Sequence, residues 1–171
     1  HLFTLLESGS TGNLISRSVR STSCPVDGWL AVSAGRRAAD LPMERYGTCR
    51  ALLSPGPSGV VPGWSDFLEA AEEGPYDAIP GLLGSALAEA GATVASLGPG
   101  AAIALAGPDG VPVGDHDVAA RAPSSLAEQV AKAVATHDLT VVDIGGVRER
   151  GRPFVYVSEG GLQRHDDGED P

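Results

Sequence analysis

The chain has 171 residues, of which 42% are hydrophobic, 20% charged and 5% aromatic, with 23 glycines and 13 prolines. This is enough for one folded domain with a hydrophobic core and long loops, and too little to expect two. The 22 acidic residues exceed the 12 basic ones by ten, which argues against nucleic acid as a partner because no cluster of Arg and Lys balances them. No apolar run is long enough to span a membrane.

Both ends of the chain indicate a part of something longer. The chain enters an apolar, helix-like run at residues 2–7 without a capping residue ahead of it, and it finishes in an acidic stretch at residues 166–171. We expect residues 1–165 to form a single α/β domain that is incomplete in this chain. Residues 166–171 are expected to be an acidic tail or loop.

The first third of the chain predicts a strand, a helix and a long loop. Residues 13–19 alternate apolar and polar side chains, which is typical of a strand. Pro25 suits the first turn of a helix that runs to Gly35, where a glycine can end it. Residues 40–63 are rich in proline and glycine, so we expect an irregular surface loop there.

Three further helices follow. A short one is predicted around residues 64–71, and a longer one begins near Pro80 and stops at Gly91. The apolar face of the longer helix is formed by Leu82, Leu83, Leu87 and Ala90. Ser125 has the spacing of a capping box and opens a helix to about residue 136.

The sheet core is expected to consist of three apolar segments, residues 93–97, 101–106 and 139–144. The last is apolar almost throughout, which is typical of a strand covered on both faces, so we expect Val141 and Val142 to be fully buried. Because helices and strands alternate with short connections, the predicted fold is a three-layer αβα sandwich with a mostly parallel sheet.

The two cysteines, Cys24 and Cys49, are separated by a loop rich in Gly, Pro and polar residues. They are either two buried thiols or a disulfide, and closing a loop of this length would stabilise the fold by about 3 kcal/mol. We predict the disulfide, because it also fits an exported domain.

A group of hydroxyl side chains lies where the first predicted strand runs into a helix. Backbone N–H groups at a helix start favour an anion, and a hydroxyl there could act as a nucleophile if a metal or base removed its proton. The residues at this junction are Arg17, Arg20, Ser21, Thr22 and Ser23. The alternative is ordinary helix capping by Ser23 with both arginines in solvent.

One aspartate and one histidine elsewhere in the chain are also candidates for a functional role. Asp143 ends the most apolar strand, where a carboxylate is either a metal ligand or a cap on the Gly145–Gly146 loop. His116 lies between two aspartates in a predicted strand, and we expect a surface histidine there rather than a ligand.

The order of these segments resembles the alkaline phosphatase superfamily. Residues 20–36 are similar to the nucleophile helix of its phosphodiesterases, in which a Ser or Thr precedes a Pro by two residues, so the resemblance puts Ser23 at the nucleophile position. Residues 76–94 resemble the helix that leads through a Gly into a strand, and residues 141–143 the strand that delivers a metal-binding Asp. Most of the chain is similar to the extracytoplasmic part of actinobacterial membrane proteins of unassigned function with this fold.

The chain departs from the enzymes of that superfamily at the metal site. Their two metals, typically zinc, need among other ligands an Asp followed four residues later by His, whereas Val147 stands four residues after Asp143 here. No Asp-His pair follows Asp143, and His165 precedes Asp166 in the reverse order. The resemblance therefore implies a degenerate site without a cofactor.

Three functional hypotheses follow. We expect a catalytically degenerate, extracytoplasmic domain, anchored in the membrane through other segments, that serves in binding or assembly at the cell envelope. Its partners would be an envelope or membrane protein and the remainder of its own chain. The second hypothesis is a zinc-dependent phosphodiesterase or phosphotransferase with Ser23 as nucleophile and Asp143 as one metal ligand. The third is a binder of an anionic small molecule or envelope glycan at the 21–23 helix start, with Arg17 and Arg20 supplying charge.

Overall fold

The computed structural model describes residues 9–10, 18–19, 23–41 and 49–145, and the backbone of residues 155–158 and 161–164. The helices are α1 (Pro25–Ala34), α2 (Trp64–Glu73), α3 (Leu82–Glu89), α4 (Pro99–Ala104) and α5 (Pro123–Thr136). The strands are β1 (Val94–Leu97), β2 (Asp115–Asp117), β3 (Leu139–Val142), β4 (Val155–Ser158) and β5 (Gly161–Arg164). The chain is therefore of the α/β class, as predicted. The predicted helix at 2–7, most of the predicted strand at 13–19 and the tail at 166–171 lie outside the described residues.

A small parallel sheet organises the described fold. Its strand order is β2-β1-β3, with Ala95 of β1 opposite both Asp115 of β2 and Thr140 of β3. The chain leaves β1 through α4 towards β2 and returns through α5 to β3 on the other side of β1. The connections thus diverge at the carboxyl end of β1, which is where open α/β sheets bind ligands. Strands β4 and β5 form a separate antiparallel hairpin.

The main hydrophobic core lies between helices and does not include the sheet strands. It consists of Val26, Leu30, Ala34, Ala38, Val61, Trp64, Phe67, Ala102, Ile103 and Ala106. A second, smaller cluster joins Ala95 and Leu97 of β1 to Ala133 of α5. Helix α5 therefore covers the sheet face on which Ala95 and Leu97 lie. Fully burying a side chain such as Leu30 or Ile103 contributes about 1.5–3 kcal/mol each, so the helical core is the larger source of stability.

Residues 101–106 were predicted as a strand, and this prediction is wrong because their first four residues belong to α4. A short apolar run fits a buried strand and a buried helix equally well by pattern. Pro99 at the first helical position and the alanines after it favour the helix. Every residue from Gly100 to Ala104 is buried, which explains the uniformly apolar sequence.

The predicted full burial of Val141 and Val142 is also wrong, since all four residues of β3 are only half-buried. Strand β3 pairs with β1 along one edge, and no second neighbour pairs with it among the described strands. Continuous hydrophobicity indicated a central strand, but it does not reveal how many neighbours the strand has.

Two helices begin or pack differently from the prediction. Helix α5 starts at Pro123 after Ala122, so Ser125 is inside the first turn and does not cap it. Helix α3 packs through Gly84, where a Cβ atom would lie 2.3 Å from the carbonyl oxygen of Ala106, whereas Leu82 is 46% exposed. The glycine permits a close backbone approach that the leucine pattern did not indicate.

The helices at 25–35 and 64–71 are confirmed as α1 and α2. Helix α1 has Pro25 in its first turn and ends at Gly35, whose φ of 63° is the left-handed conformation that glycine adopts readily. Residues 51–63 form neither helix nor strand, in agreement with the predicted loop. In the described part of the chain, no helix is long and apolar enough to cross a membrane.

Candidate functional site

The start of α1 carries the residue that the resemblance matched to a nucleophile. The cap of this helix is Cys24, so the prediction that Ser23 caps it is wrong. Ser23 is exposed, and its Oγ accepts the backbone N–H of Ser18 at 3.2 Å. The other four members of the predicted junction, Arg17, Arg20, Ser21 and Thr22, lie outside the described residues.

Asp27 takes over the capping role at the same helix start. One carboxylate oxygen, Oδ2, accepts the backbone N–H of Cys24 at 3.0 Å and the hydroxyl of Ser18 at 2.9 Å, while Oδ1 accepts the backbone N–H of Asp40 at 3.0 Å. Asp27 is completely buried. Sequence reasoning missed it, although an acidic residue three positions after a helix cap is a known capping pattern.

The predicted disulfide between Cys24 and Cys49 is confirmed, with a Cα–Cα distance of 5.3 Å. Because Cys24 is the cap of α1, the bridge ties the beginning of the loop at 49–63 to the amino end of this helix. Ser23 is thus the direct neighbour of a cross-linked, buried residue.

Asp143 lies at the carboxyl end of β3, beside the point where the sheet connections diverge. Its Oδ2 accepts the backbone N–H of Gly100 at 2.8 Å, and its Oδ1 accepts that of Gly145 at 2.8 Å. The side chain therefore caps the loop at Gly145, one of the two roles predicted for it, and also holds the first turn of α4. Gly98 fits against it because a Cβ atom there would lie 2.7 Å from the Asp143 carbonyl oxygen.

His116 was expected at the surface, but the structure half-buries it in β2. Its Nδ1 lies 2.9 Å from the hydroxyl oxygen of Ser96 on the neighbouring strand. Burial lowers the pKa of His116 below its ordinary value, and hydrogen bonding to Ser96 and the charge of Asp117 oppose this shift in part. The imidazole is therefore held mainly in its neutral form.

Ser23 and Asp143, the two candidate site residues that the structure describes, have different partners and do not contact each other. Ser23 contacts Ser18, whereas Asp143 contacts the glycine backbone at positions 100 and 145. Across residues 23–41 and 49–145, no three side chains of the His, Cys, Asp and Glu types group closely enough to hold a metal ion. Val147, His165 and Asp166, at which the chain departs from the enzyme pattern, lie outside the described residues.

The local geometry supports two chemical roles. At the start of α1, the buried Asp27 carboxylate and the disulfide fix the backbone around Ser23. At the end of β3, the Asp143 carboxylate accepts hydrogen bonds from backbone N–H groups that could otherwise bind an anionic ligand. No protein-family model, curated protein or solved structure matches this chain.

Proposed function

We propose that the chain is a catalytically degenerate, alkaline-phosphatase-like domain, built as a three-layer αβα sandwich, that serves in binding or assembly at the cell envelope. The observation that carries this proposal is the environment of Asp143. Both of its carboxylate oxygens accept backbone N–H groups, and the residue is only 7% exposed. A carboxylate in this position stabilises the fold by accepting hydrogen bonds from two glycine N–H groups, and this role does not need a metal.

The surroundings of Ser23 support the same proposal. A serine hydroxyl is a weak nucleophile until a metal or a base takes its proton. Here the Ser23 oxygen accepts a backbone N–H, and its neighbour Cys24 is held by the disulfide to Cys49. Both contacts stabilise the entry into α1, and neither would help to remove the hydroxyl proton.

The disulfide supports a location outside the cytoplasm, because such bridges persist in oxidising compartments. The proposed partners are an envelope or membrane protein and the remainder of the same chain. Membrane anchoring through other segments belongs to this proposal as well.

The test is hydrolysis of an activated phosphodiester in the presence of zinc, with the unaltered chain, Ser23→Ala and Asp143→Asn. Ser65→Ala serves as a matched control, since Ser65 is also an exposed serine at the start of a helix. We expect the same background rate for all four proteins. Zinc-dependent turnover that disappears in Ser23→Ala and persists in Ser65→Ala would contradict the proposal and establish the phosphodiesterase with Ser23 as nucleophile.

A further inference from the structure

A cleft of about 290 Å³ lies between β2 and α5, and neither Ser23 nor Asp143 lines it. The strand register places Asp115 beside Ala95 and Asp117 beside Leu97. Neighbouring residues of paired strands point to the same face, and this is the face on which α5 packs. The two aspartates and α5 therefore border one cleft at the outer edge of the sheet.

The cleft combines an apolar floor with a small volume. Ala95, Leu97 and Ala133 line it, and two of these three side chains are only methyl groups. Its volume of about 290 Å³ is just below the range of about 300–1,000 Å³ that is usual for ligand sites, so it suits a ligand of few heavy atoms.

One carboxylate in the cleft is held in place by a histidine. The Nε2 atom of His137 lies 3.1 Å from Oδ2 of Asp115, and its Nδ1 lies 2.9 Å from both the carbonyl oxygen of Ala133 and the hydroxyl oxygen of Thr136. The His137 side chain is 14% exposed, whereas that of Asp115 is 85% exposed. A mostly buried imidazole thus orients an accessible carboxylate, which lowers the entropy lost when that carboxylate binds a cation.

The cleft also holds an opposite charge that the fold does not neutralise. Lys132 lines it and is the only lysine of the chain. Within the described part of the chain, its ammonium group makes no ion pair, although Asp115 and Asp117 border the same cleft. Asp117 is engaged by the side-chain amide of Gln129 and by the backbone N–H of Val118, both at distances below 3 Å.

We propose that this cleft binds a small zwitterion, a molecule with one ammonium and one carboxylate group joined by a short aliphatic chain. The ammonium group pairs with Asp115, the carboxylate with Lys132, and the aliphatic part rests on Ala95 and Ala133. Separated opposite charges in one cleft favour a ligand that carries both charges over a ligand that carries one. This inference uses only β1, β2 and α5 and does not depend on the proposed degenerate phosphatase-like role.

The test titrates the chain with glycine, β-alanine and γ-aminobutyrate, which differ in the length of the aliphatic chain, and with propionate and propylamine as single-charge controls. Binding is followed by NMR shifts of backbone amides in β2 and α5. We expect saturable shifts with at least one zwitterion, at a concentration about tenfold lower than either single-charge control requires. Equal responses to zwitterions and single-charge compounds, or no saturable shift with any of the three, would overturn the proposal.

Variants then assign the two charges. Asp115→Asn and Lys132→Met should each weaken binding of the best zwitterion by about tenfold, whereas Glu128→Gln, an exposed position on α5 outside the cleft, should leave it unchanged. Thermal unfolding of each variant shows whether the fold is kept. The Lys132 side chain has no ion-pair partner to lose among the described residues, so Lys132→Met decides the outcome even if Asp115→Asn disturbs His137. Unchanged affinity in Lys132→Met contradicts the proposed site.

Discussion

Asp27 links three separate stretches of the chain through one buried carboxylate. It receives a hydroxyl from Ser18 and backbone N–H groups from Cys24 and Asp40. A buried donor that loses its acceptor costs about 1–3 kcal/mol, because water cannot replace the lost partner. The stability of the helix start near Ser23 therefore depends on Asp27, and the capping role that the pattern assigned to Ser23 belongs to it.

Replacing Asp27 by Ala should be among the most damaging single changes in the chain. It leaves three donors without this acceptor, so we expect a loss of about 3–5 kcal/mol in the free energy of unfolding. Glu73→Ala on α2 is the control, because this exposed acidic side chain makes no hydrogen bond or ion pair with another residue that the structure describes, and we expect a change below about 0.5 kcal/mol. Urea denaturation of both variants measures the difference. Equal effects would show that Asp27 does not hold these segments.

A pH-dependent contribution to stability should come from His116. Because burial lowers its pKa in the folded protein, the unfolded chain binds more protons between the folded pKa and the ordinary value of 6.5. The contribution is complete above pH 6.5 and is lost as the pH falls towards the folded pKa. Its Nε2 atom is buried without a hydrogen-bond partner among the described residues, which disfavours a further proton there.

The measurement compares urea denaturation at about pH 7.5 and about pH 5.5 for the unaltered chain and His116→Gln. We expect the unaltered chain to lose more stability on acidification than the variant does. The same loss in both proteins would mean that other groups cause the acid sensitivity.

At the scale of elements, the fold depends on small residues that let α3 approach the backbone just after α4 and let α4 approach α1. Gly84 of α3 faces the backbone of Ala106, and Gly100 of α4 faces the indole ring of Trp29 on α1. Interiors this dense cannot absorb an added methyl group without shifting backbone or side chains. The glycine content, which together with the proline content predicts long loops, therefore also serves helix packing in part.

Gly84→Ala tests this packing. The new Cβ would lie 2.3 Å from the Ala106 carbonyl oxygen, which is backbone and cannot rotate away, so we expect a loss of about 1–3 kcal/mol. Gly56→Ala is the control, since a Cβ atom at this loop position meets nothing within 4 Å. Melting temperatures of the two variants should separate clearly. A Gly84→Ala protein as stable as Gly56→Ala would refute the close approach of α3 to the backbone of Ala106.

For the molecule as a whole, the disulfide closes a loop of 25 residues and joins the helical core to the irregular segment after Cys49. The main hydrophobic core is formed mostly by α1, α2 and α4, while the polar residues His116 and Asp115 lie in β2 and Asp143 directly follows β3.

Removing the bridge in a Cys24→Ser/Cys49→Ser double variant should lower the free energy of unfolding by about 3 kcal/mol, the value expected for a loop of this length. Adding a reductant to the unaltered protein should have a similar effect, and the double variant should not respond to reductant. Calorimetric melting with and without reductant gives both numbers. A response of the double variant to reductant would point to a cause other than this bridge.

Local signals in the sequence were sufficient for several features. Pro25 and Gly35 mark the ends of α1, because helix ends depend on residues close in sequence. The 24–49 disulfide could be predicted because the chain has only two cysteines, which leaves one possible pairing. The parallel α/β class also follows from the alternation of patterns. The candidate site was predicted only as a set of positions, of which Asp143 and Ser23 are described.

Only the tertiary structure decided how those positions are used. The apolar pattern of residues 101–106 suits either a helix or a strand. Pro99 and the alanines favour the helix, and burial in the core beside α1 is what the pattern could not reveal. Asp143 binds a backbone N–H that lies 43 residues away, and Asp115 meets His137 across 22 residues. The packing of whole elements determines which donor and acceptor meet. Sequence reasoning cannot predict these pairs, because the identity of an acceptor does not indicate which distant donor will lie next to it.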